Sequence, residues 1–295
     1  MKLHNSEIVW GGYFLIMGLL AAVGGDGRLA VLFGGLVLAV VVIARIASMR
    51  WRLLAALIWI NFAYMLGSDV AKALRVTRYD AALAHVDGLL GWQAGQWTPA
   101  PLVLDVLSCF YVSFYVLIVA GICLFLRRPA FYTGFALVYA FGTLGYVLVP
   151  AAGPFFDWPL PTAGTHVFVT LQASASQMVT GVDVFPSLHV AASCYVLAWV
   201  IWRWRHAWLP CALWACGIAL ATVGLRYHYL IDVLAGLVLT GGILAAMQRG
   251  GAFNRASGSN EGLSNEIRSN EIRSNAIGSN SMTSRATDSN ERPHA

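Results

Sequence analysis

Long apolar stretches alternate with short polar breaks along most of the chain. They fall at about 8–24, 29–47, 51–67, 101–126, 131–151, 187–204, 207–224 and 228–247. Segments of roughly 17–26 residues are long enough for an α-helix to cross a hydrocarbon layer of about 30 Å. The pattern predicts an all-α membrane protein with about eight transmembrane helices. Two longer connections interrupt it. From about 68 to 100, Val70, Leu74, Leu83, Val86 and Leu90 are interspersed with Lys72, Arg75, Arg78, Asp80, His85 and Asp87. That mixture predicts an amphipathic helix lying in the membrane interface. From 152 to 186, the run Gly153-Pro154-Phe155-Phe156-Asp157-Trp158-Pro159 leads into a weakly polar stretch. Its aromatics suit a lid at headgroup level.

Beyond about 250 the character changes. Ser264-Asn265-Glu266-Ile267-Arg268 repeats at Ser269 to Arg273 and then decays through Ser274-Asn275-Ala276-Ile277-Gly278. A five-residue period fits neither helix nor strand, so a low-complexity, disordered tail is expected over 251–295. The rest divides into N-terminal membrane helices over 1–66, the third of them part of the core, and a membrane domain over 67–250.

Composition sharpens this picture. Of 295 residues, 58% are hydrophobic and 11% charged, with a mean hydropathy of +0.67. Soluble domains do not have this balance. A scattered net charge of +5 argues against nucleic-acid binding. Cys109, Cys123, Cys194, Cys211 and Cys216 all fall in apolar segments, without a CxxC spacing; neither a disulfide frame nor a zinc site is indicated. The first apolar stretch lacks a small-residue cleavage site before Asp26 and reads as a retained helix. With eight spans, the side holding the N-terminus carries Lys2, Arg45, Arg50, Arg52, Arg127, Arg128, Arg203, Arg205 and Arg249. The other side carries Arg28, Lys72, Arg75, Arg78 and Arg226. Nine cations against five place both termini in the cytoplasm and predict a multi-pass inner-membrane protein.

Two strings carry the candidate chemistry, Phe185-Pro186-Ser187-Leu188-His189 and Arg226-Tyr227-His228-Tyr229-Leu230-Ile231-Asp232. Both fall on the outward side, each at the start of an apolar segment, where ionisable groups are costly without partners or a task. His228 and Asp232, four apart, share a helix face. A histidine held by a carboxylate, with a second histidine nearby, is an apparatus for moving a phosphoryl group. Ser187 follows a proline at a helix boundary, and its hydroxyl and the free amides of the first turn suit phosphate oxygens.

The paired strings, with the Val233-Leu234-Ala235-Gly236 continuation, resemble the type 2 phosphatidic acid phosphatase superfamily. Within it they are similar to the inositol phosphorylceramide synthase branch, itself related to the sphingomyelin synthases. The resemblance covers roughly 65–250 and implies a six-helix core. It further implies that His228 is the nucleophile forming a phosphohistidine, that Asp232 holds its far ring nitrogen, and that His189 protonates the leaving oxygen and then deprotonates the acceptor. No cofactor or metal is implied. The chain departs from the wider family in two places. Ala221-Thr222 stands where that family has Ser-Arg, and Gly121 stands where a lysine precedes Arg128-Pro129. Arg226 is then the leading candidate to neutralise phosphate with its bidentate fork, followed by Lys72, Arg75 and Arg78.

The expected function is transfer of an inositol phosphate-like headgroup from a phospholipid to a lipid hydroxyl at the extracytoplasmic face. Hydrolysis of a lipid phosphate or polyprenyl diphosphate, with water as acceptor, is the alternative. A non-enzymatic lipid binder or transporter is the alternative of another class. Blander roles are also open: Ser187 as a plain helix cap, Arg226 as a headgroup anchor, Lys72, Arg75 and Arg78 on lipid phosphates generally. His189, His228 and Asp232 could also form a two-histidine, one-carboxylate metal site. His85, His166, Asp87 and Asp157 belong to no motif and read as interfacial polar residues.

Overall fold

The computed structural model describes residues 3–178 and 180–251, so the expected disordered tail lies outside the described residues except for Gly251. The described chain is all-helical, and the expected fold class holds. The helices are α1 Asn5–Val23, α2 Gly27–Ile46, α3 Met49–Ala73, α4 Asp80–Leu89, α5 Pro101–Leu124, α6 Pro129–Leu148, α7 Val167–Met178, α8 Leu188–Arg203, α9 Trp208–Gly224 and α10 Leu230–Arg249. Their boundaries follow local chemistry. Asp26 accepts a hydrogen bond from the Leu29 amide to cap α2, and prolines open α5 and α6 where their missing N–H costs nothing.

Seven helices among the described residues are long and apolar enough to cross a membrane, and the protein is a multi-pass membrane protein. The eighth expected span, α8, has 16 residues, about 24 Å of helix, and is too short for that count.

Helix α6 is the hub. It buries Phe131, Tyr132, Phe135, Val138, Tyr139, Thr143 and Tyr146, with α1 and α3 against one side and α8 against another. Helix α5 packs on α8 and α9. Helices α1 and α3 run parallel. Near their starts Arg52 Nε donates to Glu7 Oε1 at 2.6 Å. At their far ends a Cβ on Gly24 would lie 2.9 Å from the Ala73 carbonyl carbon.

Helix α3 runs past the expected end near 67 to Ala73. The interfacial reading of 68–100 therefore needs correction. Helix α4 turns Asp80, Leu83 and Asp87 inward, so its buried face carries two carboxylates rather than an apolar stripe. Asp87, read from sequence as an interfacial polar group, is 3% exposed.

Candidate functional site

Helix α9 ends in a chain reversal that delivers His228. The Tyr227 amide donates to the Thr222 carbonyl and the Arg226 amide to that of Val223, each at 3.0 Å. These are the two bonds of a Schellman cap. The left-handed position falls on Arg226, with φ 62°, where glycine is usual. A non-glycine residue there costs roughly 1–2 kcal/mol. Hydrogen bonds from the Arg226 side chain offset it. Nη1 donates to the Trp158 carbonyl at 2.6 Å and the Pro159 carbonyl at 3.3 Å. Nη2 donates to the Trp97 carbonyl at 2.6 Å. The guanidinium thus ties two loops to the end of α9, and Nε is buried without a partner. The structure places this expected phosphate ligand on backbone carbonyls.

The two motif strings meet through their backbones. The Ser187 amide donates to the Asp232 carbonyl at 3.0 Å. Ser187, fully buried, caps α8 by accepting from the Val190 amide at 3.4 Å. Glycine is required opposite it, because a Cβ on Gly236 would lie 2.7 Å from the Ser187 carbonyl oxygen. Gly153, with φ +95°, does the same for the other side of the site: a Cβ there would lie 2.7 Å from the Tyr227 carbonyl oxygen.

His228 is 4% exposed and Asp232 fully buried. His228 Nδ1 lies 2.9 Å from the Val184 carbonyl oxygen and 3.5 Å from Asp232 Oδ2. Both neighbours are acceptors, so Nδ1 carries the proton and the lone pair is left on Nε2. Nε2 faces His189 Nδ1 at 3.4 Å, and the ring centroids are 5.6 Å apart. His189 rests between Tyr111 and Phe114, each 4.5 Å away between ring centroids. Its Nε2 is buried without a partner, as is Asp232 Oδ1. Asp232 Oδ2 also accepts the Tyr229 amide at 2.8 Å. Asp232 and His189 approach opposite nitrogens of His228, so the three side chains do not converge on one point as a metal triad must. Among the described residues no group of three or more His, Cys, Asp or Glu is arranged to hold a metal.

Three supports have no counterpart in the sequence reading. Asp87 accepts the Leu230 amide at 2.7 Å and the Ile231 amide at 2.9 Å, capping α10 from another helix. Burial lifts its carboxyl above the usual range, although those two bonds act the other way. Asp80 Oδ1 accepts the Ala152 and Gly153 amides and the Tyr229 hydroxyl at 2.9, 3.0 and 3.1 Å, and Oδ2 accepts Arg78 Nε at 2.8 Å. Burial disfavours the charge on Asp80, but the bonds from Arg78, Gly153 and Ala152 outweigh it and hold the carboxyl below its usual range. Tyr64 on α3 donates to Asp183 Oδ2 at 2.8 Å, one residue before the carbonyl that holds His228.

Of the other expected cations, Arg78 is committed to Asp80. Lys72 lies 3.8 Å from Asp69 and lines, with Arg75, a cleft at the α1–α2 turn that shares no residue with the histidine cluster. His166 is exposed, and its amide donates to Asp105 at 3.1 Å. His85 and Trp158 line a cavity of about 590 Å³ with Asp87 and Tyr229, next to the first turn of α10. The arrangement offers an imidazole lone pair, a second imidazole within reach of whatever that lone pair attacks, and a buried carboxylate to balance developing charge.

A family profile described as the PAP2 superfamily matches residues 81–246, from α4 to the penultimate turn of α10. Comparison with curated proteins and with solved structures gives no match.

Proposed function

This chain belongs to the PAP2 superfamily, and we propose that it is a membrane lipid phosphotransferase working through a phosphohistidine at His228. The observation that carries the reading is the paired acceptors on His228 Nδ1, Val184 and Asp232, with Nε2 turned to His189. His228 Nε2 attacks phosphorus of a phospholipid headgroup, and the bond from phosphorus to the diacylglycerol oxygen breaks. Burial between Tyr111 and Phe114 by itself disfavours a charged His189; the anionic phosphodiester bound beside it favours the imidazolium, which gives its proton to the diacylglycerol oxygen. A lipid hydroxyl then surrenders its proton to His189 and attacks phosphorus, the N–P bond breaks, and His228 returns to its resting tautomer. Asp232 stabilises the positive charge on the phosphorylated ring. At 3.4 Å the two ring nitrogens touch, so His189 shifts on its Tyr111 and Phe114 bed to admit the phosphoryl group.

An inositol phosphate-like headgroup and a ceramide-like acceptor are the specific version, supported by the likeness of Phe185 to Ala191 and of His228 to Gly236 to the inositol phosphorylceramide synthases. We place the site at the extracytoplasmic face, on the strength of the arginine distribution. No cofactor enters the scheme. Purified protein given headgroup-labelled phospholipid, with and without a ceramide-like acceptor, tests the reading. Label on the acceptor lipid is expected. Free phosphate or phospho-headgroup as the sole product, acceptor present, would make the protein a hydrolase, and unaltered lipid throughout would leave a binder.

A further inference from the structure

We propose that the cleft at the α1–α2 turn binds the phosphodiester of a glycerophospholipid, at a site separate from the histidine cluster and outside the residues matched by the family profile. The cleft measures about 860 Å³ and is walled by the turn Gly24 to Leu29 and by Leu66, Asp69, Lys72, Ala73 and Arg75 at the end of α3. Because α1 and α3 run parallel and α3 leads through Arg78 and Asp80 to the Ala152-Gly153 loop, the cleft lies at the same end of the bundle as His228.

Its charges are unequally committed. Asp26 already accepts the Leu29 amide at 2.9 Å and covers the start of α2. Asp69 is the neighbour of Lys72 at 3.8 Å. Arg28 and Arg75 are exposed, and neither has a carboxylate partner among the described residues. Two unpaired guanidinium forks match the oxygens of a phosphodiester better than a single ammonium does. Below them the wall turns apolar through Leu29, Leu32 and Leu66. Helix α2 packs chiefly on α1, so this apolar side opens between α2 and α3 towards acyl chains. A soluble phosphate would use the cations alone; an amphiphile uses both.

The test uses the full-length protein in detergent with a small molar excess of phosphatidylglycerol carrying a photoactivatable group on its acyl chain. Label on peptides holding Leu32 and Leu66 is compared with label at Leu213 and Leu220, exposed positions on α9 that report unspecific lipid contact. Excess label at Leu32 and Leu66 is expected in the wild type. It falls to the α9 level in Arg28→Gln/Arg75→Asn, asparagine being chosen because φ at position 75 is 51° and asparagine tolerates that region. The same probe built on diacylglycerol gives no excess. Should the double variant fail to fold, Arg28→Gln alone, at an exposed helical position, is expected to reduce the excess severalfold. Excess that persists in the variants, or that diacylglycerol reproduces, overturns the proposal. Its abolition by millimolar inorganic phosphate assigns the cleft to free phosphate and overturns the lipid assignment.

Discussion

Replacing Asp232 by asparagine isolates the charge of the carboxylate from its geometry. Oδ2 accepts the Tyr229 amide and faces His228 Nδ1, whereas Oδ1 is buried without a partner. An asparagine oriented with its oxygen at the Oδ2 position keeps both contacts and puts its amide nitrogen where nothing is displaced. The tautomer is also kept, because the Val184 carbonyl, at 2.9 Å, still demands a proton on Nδ1. What is lost is one negative charge 3.5 Å from a ring that becomes cationic. At an effective dielectric constant of about 20 that is worth about 4.7 kcal/mol for a full charge and about half as much for a half-developed one. The expected fall in kcat/KM therefore lies between about 50-fold and about 3,000-fold. A histidine without a second acceptor flips its tautomer on the same change and loses about 10⁴-fold in serine protease triads. The assay is turnover of labelled phospholipid in mixed micelles, with His228→Ala as the floor. Asp232→Asn as inactive as His228→Ala, or within threefold of wild type, would refute this account of the site.

Three further outcomes follow from the supports around the site. Asp87→Ala frees the Leu230 and Ile231 amides and is expected to cost about 1–2 kcal/mol, as for other lost helix caps. Thermal unfolding in detergent measures it, and an unchanged midpoint would mean that water replaces the cap. Tyr64→Phe removes the bond to Asp183, worth about 1 kcal/mol, and loosens the segment bearing the Val184 carbonyl; kcat should fall severalfold with KM little changed, and a change in KM alone would place Tyr64 against substrate instead. The lowered carboxyl of Asp80 contributes stability that is present above its usual pKa of about 4 and lost as pH falls through the lower folded value. Wild-type unfolding should thus move to lower temperature in acid, and Asp80→Asn, less stable at pH 7, should show a smaller acid shift; parallel curves would remove Asp80 from the explanation.

Much of the bundle was legible because membrane spans announce themselves by length and hydropathy. The expected segments at 101–126, 187–204 and 207–224 agree with α5, α8 and α9 to within two residues. Helix α3 overran because Asp69 and Lys72 look like an exit from the apolar region while the backbone stays helical. The contact of His228 with Asp232 was expected from a shared helix face, but α10 begins at Leu230 and His228 reaches Asp232 from the loop that precedes it; the approach to His189 was expected from the likeness of two motifs. The supports were hidden for a physical reason: each joins positions far apart in sequence, Asp87 to Leu230 and Tyr64 to Asp183, and no local pattern encodes such a bond. One trace was available. Asp80, Leu83 and Asp87 fall at i, i+3 and i+7, a single helical face that cannot be apolar, which marks α4 as a carboxylate-bearing strut. Arg226 was harder still, since the left-handed cap it occupies is signalled by glycine in most chains.

Isolation of the phosphoenzyme tests the central claim most directly. The protein is mixed with phosphorus-labelled phospholipid, quenched in alkali, digested, and the phosphopeptides are examined by mass spectrometry and phosphorus NMR. Phosphorus on His228, bonded through Nε2 and still esterified to the headgroup, is the result this account requires. Phosphate on His189, the Nδ1 isomer at His228, or turnover without any phosphohistidine would contradict it.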